Sequence, residues 1–287
     1  MDNVRGILFM VLAMAGFAIS DGFLKELTQT LPTGQLLAIF GLTGGAILGA
    51  FARIRGARLI GPWLTSPIFV ARLLSDTFAA VCIVSAFATA PLSLVSAIIQ
   101  VSPLMAAAFA AWLLRETLGP RRILAILIGL VGVLIILEPW GAAIAPGMIL
   151  AAIGAALLAM RDVLTRKMPA DVPSDALVTY GFLAIAPGGL LLLAFDPVLV
   201  PMDGRAILLS LAGVLTGIFG YTMITLASRM AEISAIAPFR YTRLVFAILI
   251  GSIAFGERLS ATALAGAALV IGSGLFVFWR EARLRRA

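Results

Sequence analysis

The chain has 287 residues, 62% of them hydrophobic and 12% charged, with a mean hydropathy of +1.11, whereas a soluble domain is nearer half apolar and a quarter charged. At roughly 20 apolar residues per membrane crossing plus a short loop, this length holds about ten spans and no separate soluble domain. Histidine is absent and cysteine occurs once, which excludes disulfide frameworks, Cys/His metal sites and imidazole chemistry, and the net charge of +7 has to be read against the position of its basic residues before any nucleic-acid partner is considered.

Apolar runs broken by polar or Pro/Gly segments predict spans over 4–26, 34–53, 66–88, 91–114, 119–138, 146–166, 174–195, 204–228, 233–255 and 260–280. Span 1 closes with Asp21 and Lys25 at i,i+4 spacing, in its last turns, where a gate or an interface ion pair is expected. An apolar run after Arg5 resembles a signal peptide, but an equivalent helix in mid-chain argues against cleavage. Span 2 carries Gly41, Gly45 and Gly49, small-xxx-small steps suited to close helix packing.

Span 3 places Arg72 and Asp76 on one face. Span 4 contains Gln100, with Ser96 and Ser102 as weaker lining candidates, and Pro103, which removes a backbone hydrogen bond and permits a bend. Span 6 ends on Asp162 and Arg166, a pair of the Asp21/Lys25 kind. Span 8 has Gly213, Gly217, Gly220 and Tyr221, and its glycine face either packs closely or leaves room for a substrate. Span 9 has Pro238, the second predicted hinge, followed by Arg240, Tyr241 and Arg243.

An Arg or Asp near a span centre costs about 2.5–3.5 kcal/mol, so Arg72, Asp76, Arg240 and Arg243 facing lipid would cost roughly 10–14 kcal/mol. They are therefore expected to face partners or a wet cavity. Three positive charges against one negative favour an anionic group held by an Arg fork, with Asp76 free to receive an ammonium, the pattern of a zwitterionic amino acid. The structural alternative is that Arg72 and Asp76 neutralise each other while Arg240 and Arg243 cap carbonyls or reach an interface. Substrate-binding candidates are thus Arg72, Asp76, Gln100, Tyr221, Arg240, Tyr241 and Arg243.

With the amino terminus in the cytoplasm, fifteen of the 21 Lys and Arg fall on the inner side, Arg161 among them; Lys25, Arg205 and Arg258 fall outside, and Arg72, Arg240 and Arg243 lie within spans. The positive-inside rule then predicts a multi-pass inner-membrane protein with both termini cytoplasmic. The net charge is mostly a topology signal, and no nucleic-acid partner is expected.

One offset, 141 residues, recurs along the chain: Gly6 matches Gly147, Asp21 Asp162, Lys25 Arg166, Pro32 Pro173, Ala90 Ala231, Ser93 Ser234 and Glu116 Glu257. Each copy, 1–141 and 142–287, holds five spans, an odd number, so the second enters the membrane inverted. Inverted repeats serve alternating access around a midplane cavity. At this offset Arg72 and Asp76 meet Gly213 and Gly217, and Arg240 and Arg243 meet Ile99 and Ser102, so the intramembrane charges break the symmetry.

Spans 4 and 9 each close on an acidic turn, Arg115-Glu116-Thr117-Leu118 and Gly256-Glu257-Arg258-Leu259, followed by Gly-dotted spans with Gly129 and Gly132, and Gly266, Gly272 and Gly274. In these features the chain resembles the EamA repeats of the drug/metabolite transporter superfamily over nearly its whole length, with Arg115 departing from the glycine of the second turn. The resemblance implies an all-α polytopic membrane protein of ten helices in two inverted five-helix repeats that moves small metabolites. Within the superfamily the YddG-type amino-acid exporters are the nearest expectation, uptake of a larger nucleoside-like, vitamin or S-adenosylmethionine-like metabolite being the alternative.

An intramembrane enzyme is disfavoured because there is no His for a dyad, no paired-aspartate motif and no HExxH site. A channel is disfavoured because no selectivity-filter sequence or matched charged rings occur. The expected partners are a small-molecule substrate and the lipid bilayer, with no cofactor, no metal and no required oligomer. With four Trp and three Tyr, little aromatic stacking on substrate is expected; facilitated export down a concentration gradient is expected, proton coupling through Asp21 or Glu138 being the remote alternative.

Overall fold

Six helices begin at or immediately after a proline, Pro32, Pro67, Pro91, Pro120, Pro146 and Pro173, where the fixed φ is pre-organised and the missing N–H has no intrahelical partner to lose. The computed structural model describes residues 3–115, 119–137, 145–169, 171–231 and 233–284, and among these every regular element is helical. In the first half these are α1 (Asn3–Leu27), α2 (Thr33–Ile54), α3 (Pro67–Thr89), α4 (Leu92–Ile99), α5 (Ser102–Leu114) and α6 (Pro120–Leu137). The second half holds α7 (Pro146–Arg166), α8 (Ser174–Leu183), α9 (Ile185–Phe195), α10 (Gly204–Met230), α11 (Ile233–Ile236), α12 (Thr242–Phe255) and α13 (Ala261–Leu284).

Counting α4–α5, α8–α9 and α11–α12 as broken spans gives ten, as expected; eight are long and apolar enough to cross a membrane, and Ile123–Leu137 and Ala261–Val277 are shorter apolar helices. The breaks follow proline. Pro103 leaves the Ile99 carbonyl without its helical donor where the chain turns at Gln100 and Val101, and Pro238 sits in a 3-10 segment, Ala237–Tyr241, between α11 and α12. A third break, unexpected from the sequence, falls at Ala184 between α8 and α9, where Pro187 withholds the donor from Leu183.

Packing is reciprocal across the repeat. α1 lies on α10 and α12 as α7 lies on α3 and α5, while α2 meets α8–α9, α4 meets α12, and α6 meets α13. The close approaches recur as well: a Cβ on Gly6 would strike Ala231, and one on Gly147 would strike Ala90, the repeat partner of Ala231. Gly41 sits on the Ala186 backbone and Gly45 on Leu183, so the glycines of α2 serve packing against the broken span. Gly213 abuts Phe40 and Phe23, and Gly217 faces Ser20, so the span 8 glycines also pack and leave no opening for substrate.

Both α5 and α12 end on a left-handed residue, Arg115 at φ 55° and Gly256 at φ 65°, so the two helices share the same C-terminal backbone conformation despite different residues. A non-glycine residue there carries about 1–2 kcal/mol of strain. Arg115→Gly is accordingly expected to raise unfolding free energy by about 1 kcal/mol, read as a higher Tm in detergent. The residues Glu116, Thr117 and Leu118 of the first acidic turn, together with Glu138 and the tail residues Arg285 and Arg286, lie outside the described residues.

Candidate functional site

A cavity of about 370 Å³ opens between the two halves, and all seven substrate-binding candidates line it: Arg72, Asp76, Gln100, Tyr221, Arg240, Tyr241 and Arg243. Asp21, Asp162, Ser102 and Pro103 also line it, whereas Lys25, Arg166, Ser96 and Pro238 do not. Its apolar lining includes Phe17, Phe40, Phe87 and Phe182 with Leu37 and Val84. The count of Trp and Tyr underestimated the aromatic surface, because phenylalanine supplies it.

The polar lining of the cavity includes an ion-pair network built on facing helices. Arg72 Nη1 lies 3.2 Å from Asp76 Oδ2 across one turn of α3, and its Nε donates to Thr165 Oγ1 of α7 at 3.0 Å. Arg161 of α7 donates through Nε and Nη2 to Asp162 Oδ1 at 3.0 and 2.8 Å and reaches Asp76 Oδ1 with Nη1 at 3.5 Å. Arg161, assigned to the inner side from its place near the end of span 6, is thus a cavity residue. One helical turn back from that end is enough to bring its side chain inward between α3 and α7.

Two arginines and two aspartates make this cluster neutral. Its repeat counterpart at the α1–α10 crossing has Ser20 for Arg161, Gly213 for Arg72 and Gly217 for Asp76. There Ser20 Oγ donates to the Gly213 carbonyl at 2.8 Å. The same crossing is therefore closed by small residues in one half and by charges in the other.

The two expected i,i+4 gate pairs do not form. Asp21 takes Arg243 of α12 instead of Lys25, accepting from Nη2 at 2.6 Å and Nε at 3.1 Å, with the guanidinium 5.5 Å from the Phe17 ring centroid. Asp162 takes Arg161 instead of Arg166, which is exposed at the end of α7. In both cases a fork that reaches two donors onto one carboxylate outcompetes an i,i+4 neighbour. Lys25 donates to the Phe87 and Ala90 carbonyls at 2.8 and 2.6 Å, closing the C-terminal end of α3.

Four arginines and three aspartates line the cavity, and the surplus charge falls on Arg240. Among the described residues its guanidinium has no carboxylate within 4 Å, and its backbone carbonyl accepts from Gln100 Nε2 at 3.3 Å. Tyr241 is buried, with its hydroxyl against Gly274 of α13, and it also lines the cavity. Asp76 is buried between two arginines, so it is not free to receive an ammonium. Glu257 also has a structural place: its carboxylate accepts from the Leu92 and Ser93 amides at 2.6 and 2.9 Å and from the Ser93 hydroxyl, capping α4 from the other repeat.

A riboflavin transporter of Rhizobium johnstonii is 28% identical over 99% of this chain and 94% of its own, and a pseudopaline exporter of Pseudomonas aeruginosa is 26% identical over 93% of each. A solved crystal structure superposes over 97% of this chain and 98% of its own with a TM-score of 0.68 at 24% identity, showing a shared fold. The profile of the EamA-like transporter family matches residues 4–138 and again 145–279. Two matches, one in each half of a ten-span chain that packs reciprocally around a charged cavity, mean that this protein belongs to the EamA-like transporter family, within the drug/metabolite transporter superfamily.

Proposed function

We propose that this membrane transporter carries a metabolite of about riboflavin size, with a planar apolar part and an acceptor-rich edge, by alternating access between the units 1–141 and 142–287. The observation that carries the reading is the lining of the 370 Å³ cavity, which combines four phenylalanines with an ion-pair network and with Arg240, a cation that has no carboxylate within 4 Å among the described residues. Apolar pockets of this size with a few convergent polar groups suit ligands of several hundred daltons. Riboflavin is the first substrate to test, supported by the similarity to a riboflavin transporter. In this assignment the Phe17, Phe40 and Phe182 side chains face the ring system and Arg240 donates to its carbonyl oxygens, while Arg243 holds Asp21. Pro103 and Pro238 act as hinges on either side of the site. The inner-membrane orientation has both termini in the cytoplasm, and no proton carrier is assigned.

Neutral amino-acid export is the weaker reading. A free amino acid fills a small part of the cavity, and its ammonium finds each of Asp21, Asp76 and Asp162 already engaged by an arginine. The expected result in proteoliposomes is counterflow of riboflavin without an imposed pH gradient and no counterflow of neutral amino acids. Amino-acid flux with no riboflavin flux would reverse the assignment.

A further inference from the structure

Two charged side chains from different helices converge on the turn that joins α3 to α4. Lys25, at the end of α1, holds the Phe87 and Ala90 carbonyls, and Glu257, after α12, holds the Leu92 and Ser93 amides. Lys25 comes from the first half and Glu257 from the second, so the seven residues 87–93 are pinned from both repeats beside the cavity. Phe87 is itself a cavity-wall residue, which ties the turn directly to the substrate space.

The repeat supplies the comparison at the opposite end of the helices. Lys25 corresponds to Arg166, and the Phe87 and Ala90 carbonyls correspond to those of Ser228 and Ala231 at the turn between α10 and α11. Arg166 is exposed, and among the described residues it makes no hydrogen bond to that turn. α1 also touches α3, whereas the equivalent helices α7 and α10 have no comparable contact. The basic half of this device is engaged at one end and, among the described residues, disengaged at the other; Glu116, the counterpart of Glu257, lies outside the described residues.

We propose that Lys25 and Glu257 form the latch of one mouth, and that Arg166 latches the opposite mouth onto the Ser228 and Ala231 carbonyls once Lys25 and Glu257 let go. The proposal rests on the alternating-access reading. It adds which residues set the balance between the two states: the structure is the Lys25-latched state, and each half of the cycle exchanges one set of charge-assisted hydrogen bonds for the other. Breaking one such set shifts a two-state equilibrium by about tenfold or more.

The test uses the full chain with Cys82→Ser, reconstituted in liposomes, carrying a single new cysteine at Leu24 on the cavity wall beside Lys25 or at Val178 on the wall toward the Arg166 end. The readout is the rate of labelling by a membrane-impermeant maleimide. Lys25→Met and Glu257→Gln are each expected to raise labelling at Leu24→Cys about tenfold and to lower it at Val178→Cys. Lys25→Arg restores the parental rate, and Arg166→Met lowers labelling at Leu24→Cys. Parental rates at both positions in folded, monodisperse Lys25→Met and Glu257→Gln protein overturn the latch, as does a rise at both positions together, which is general loosening. The labelling ratio needs no substrate, so it decides the latch whatever the flux assay returns. Shifted labelling without flux removes the substrate assignment alone, and flux with unshifted labelling removes the latch alone.

Discussion

Asp76→Asn should destabilise the protein by about 3–5 kcal/mol, the loss typical of breaking a buried ion pair by removing one partner. The reason is local. Asp76 is 8% exposed and answers two guanidinium groups, Arg72 at 3.2 Å and Arg161 at 3.5 Å, so neutralising it leaves Arg72 buried with no other carboxylate against it among the described residues, while Arg161 keeps Asp162. Replacing both Arg72 and Asp76 by glycine, the residues found at the same crossing in the other repeat, removes the charges together. The double variant is expected to be more stable than Asp76→Asn alone, even after the intrinsic cost of about 1 kcal/mol for each helical glycine. Thermal unfolding in detergent with a monodispersity check reads both. Equal losses for the single and double variants would mean that the pair, and not its broken half, supplies the stability.

Arg240→Gln is the opposite kind of substitution. With no carboxylate within 4 Å among the described residues, Arg240 contributes little that folding would miss, but it supplies the surplus charge of the cavity. Losing a charge-assisted contact to substrate, about 1.5–3 kcal/mol, lowers flux at subsaturating substrate roughly 10- to 150-fold with Tm unchanged. Arg243→Gln lowers both flux and Tm, because it strips Asp21 of its partner. Unchanged flux in Arg240→Gln would take Arg240 out of the site.

Much of this molecule is legible in sequence because lipid imposes a simple code. Span length, the offset of 141 and the need to hide intramembrane charge led to ten helices, an inverted repeat and a cavity lined by the seven named residues. Pairing was harder to read. Asp21 had Lys25 one turn away, but only three-dimensional packing brings α12 close enough for the Arg243 fork to displace it. Arg161 was hidden by its position near a span end, where a basic residue ordinarily reports orientation. The clue was in the repeat: its partner is Ser20, so it is a charge present in one copy only, like Arg72 and Asp76. The break at Ala184 was signalled by Pro187, which the apolar run around it concealed.

The two crossings, Ser20 on Gly213 and Gly217 in one place and Arg161 on Arg72 and Asp76 in the other, also bear on the chain's ancestry. A duplicated gene begins with two interchangeable halves, and these have ceased to be interchangeable. A protein made of the second half twice would bury Arg161 against glycines, with Asp162 its sole carboxylate, and one made of the first half twice would set Ser20 where the Arg72 and Asp76 cluster requires a guanidinium. Each half now supplies what the other lacks, so the pair is held to a single order of assembly and behaves as an obligate heterodimer written on one chain.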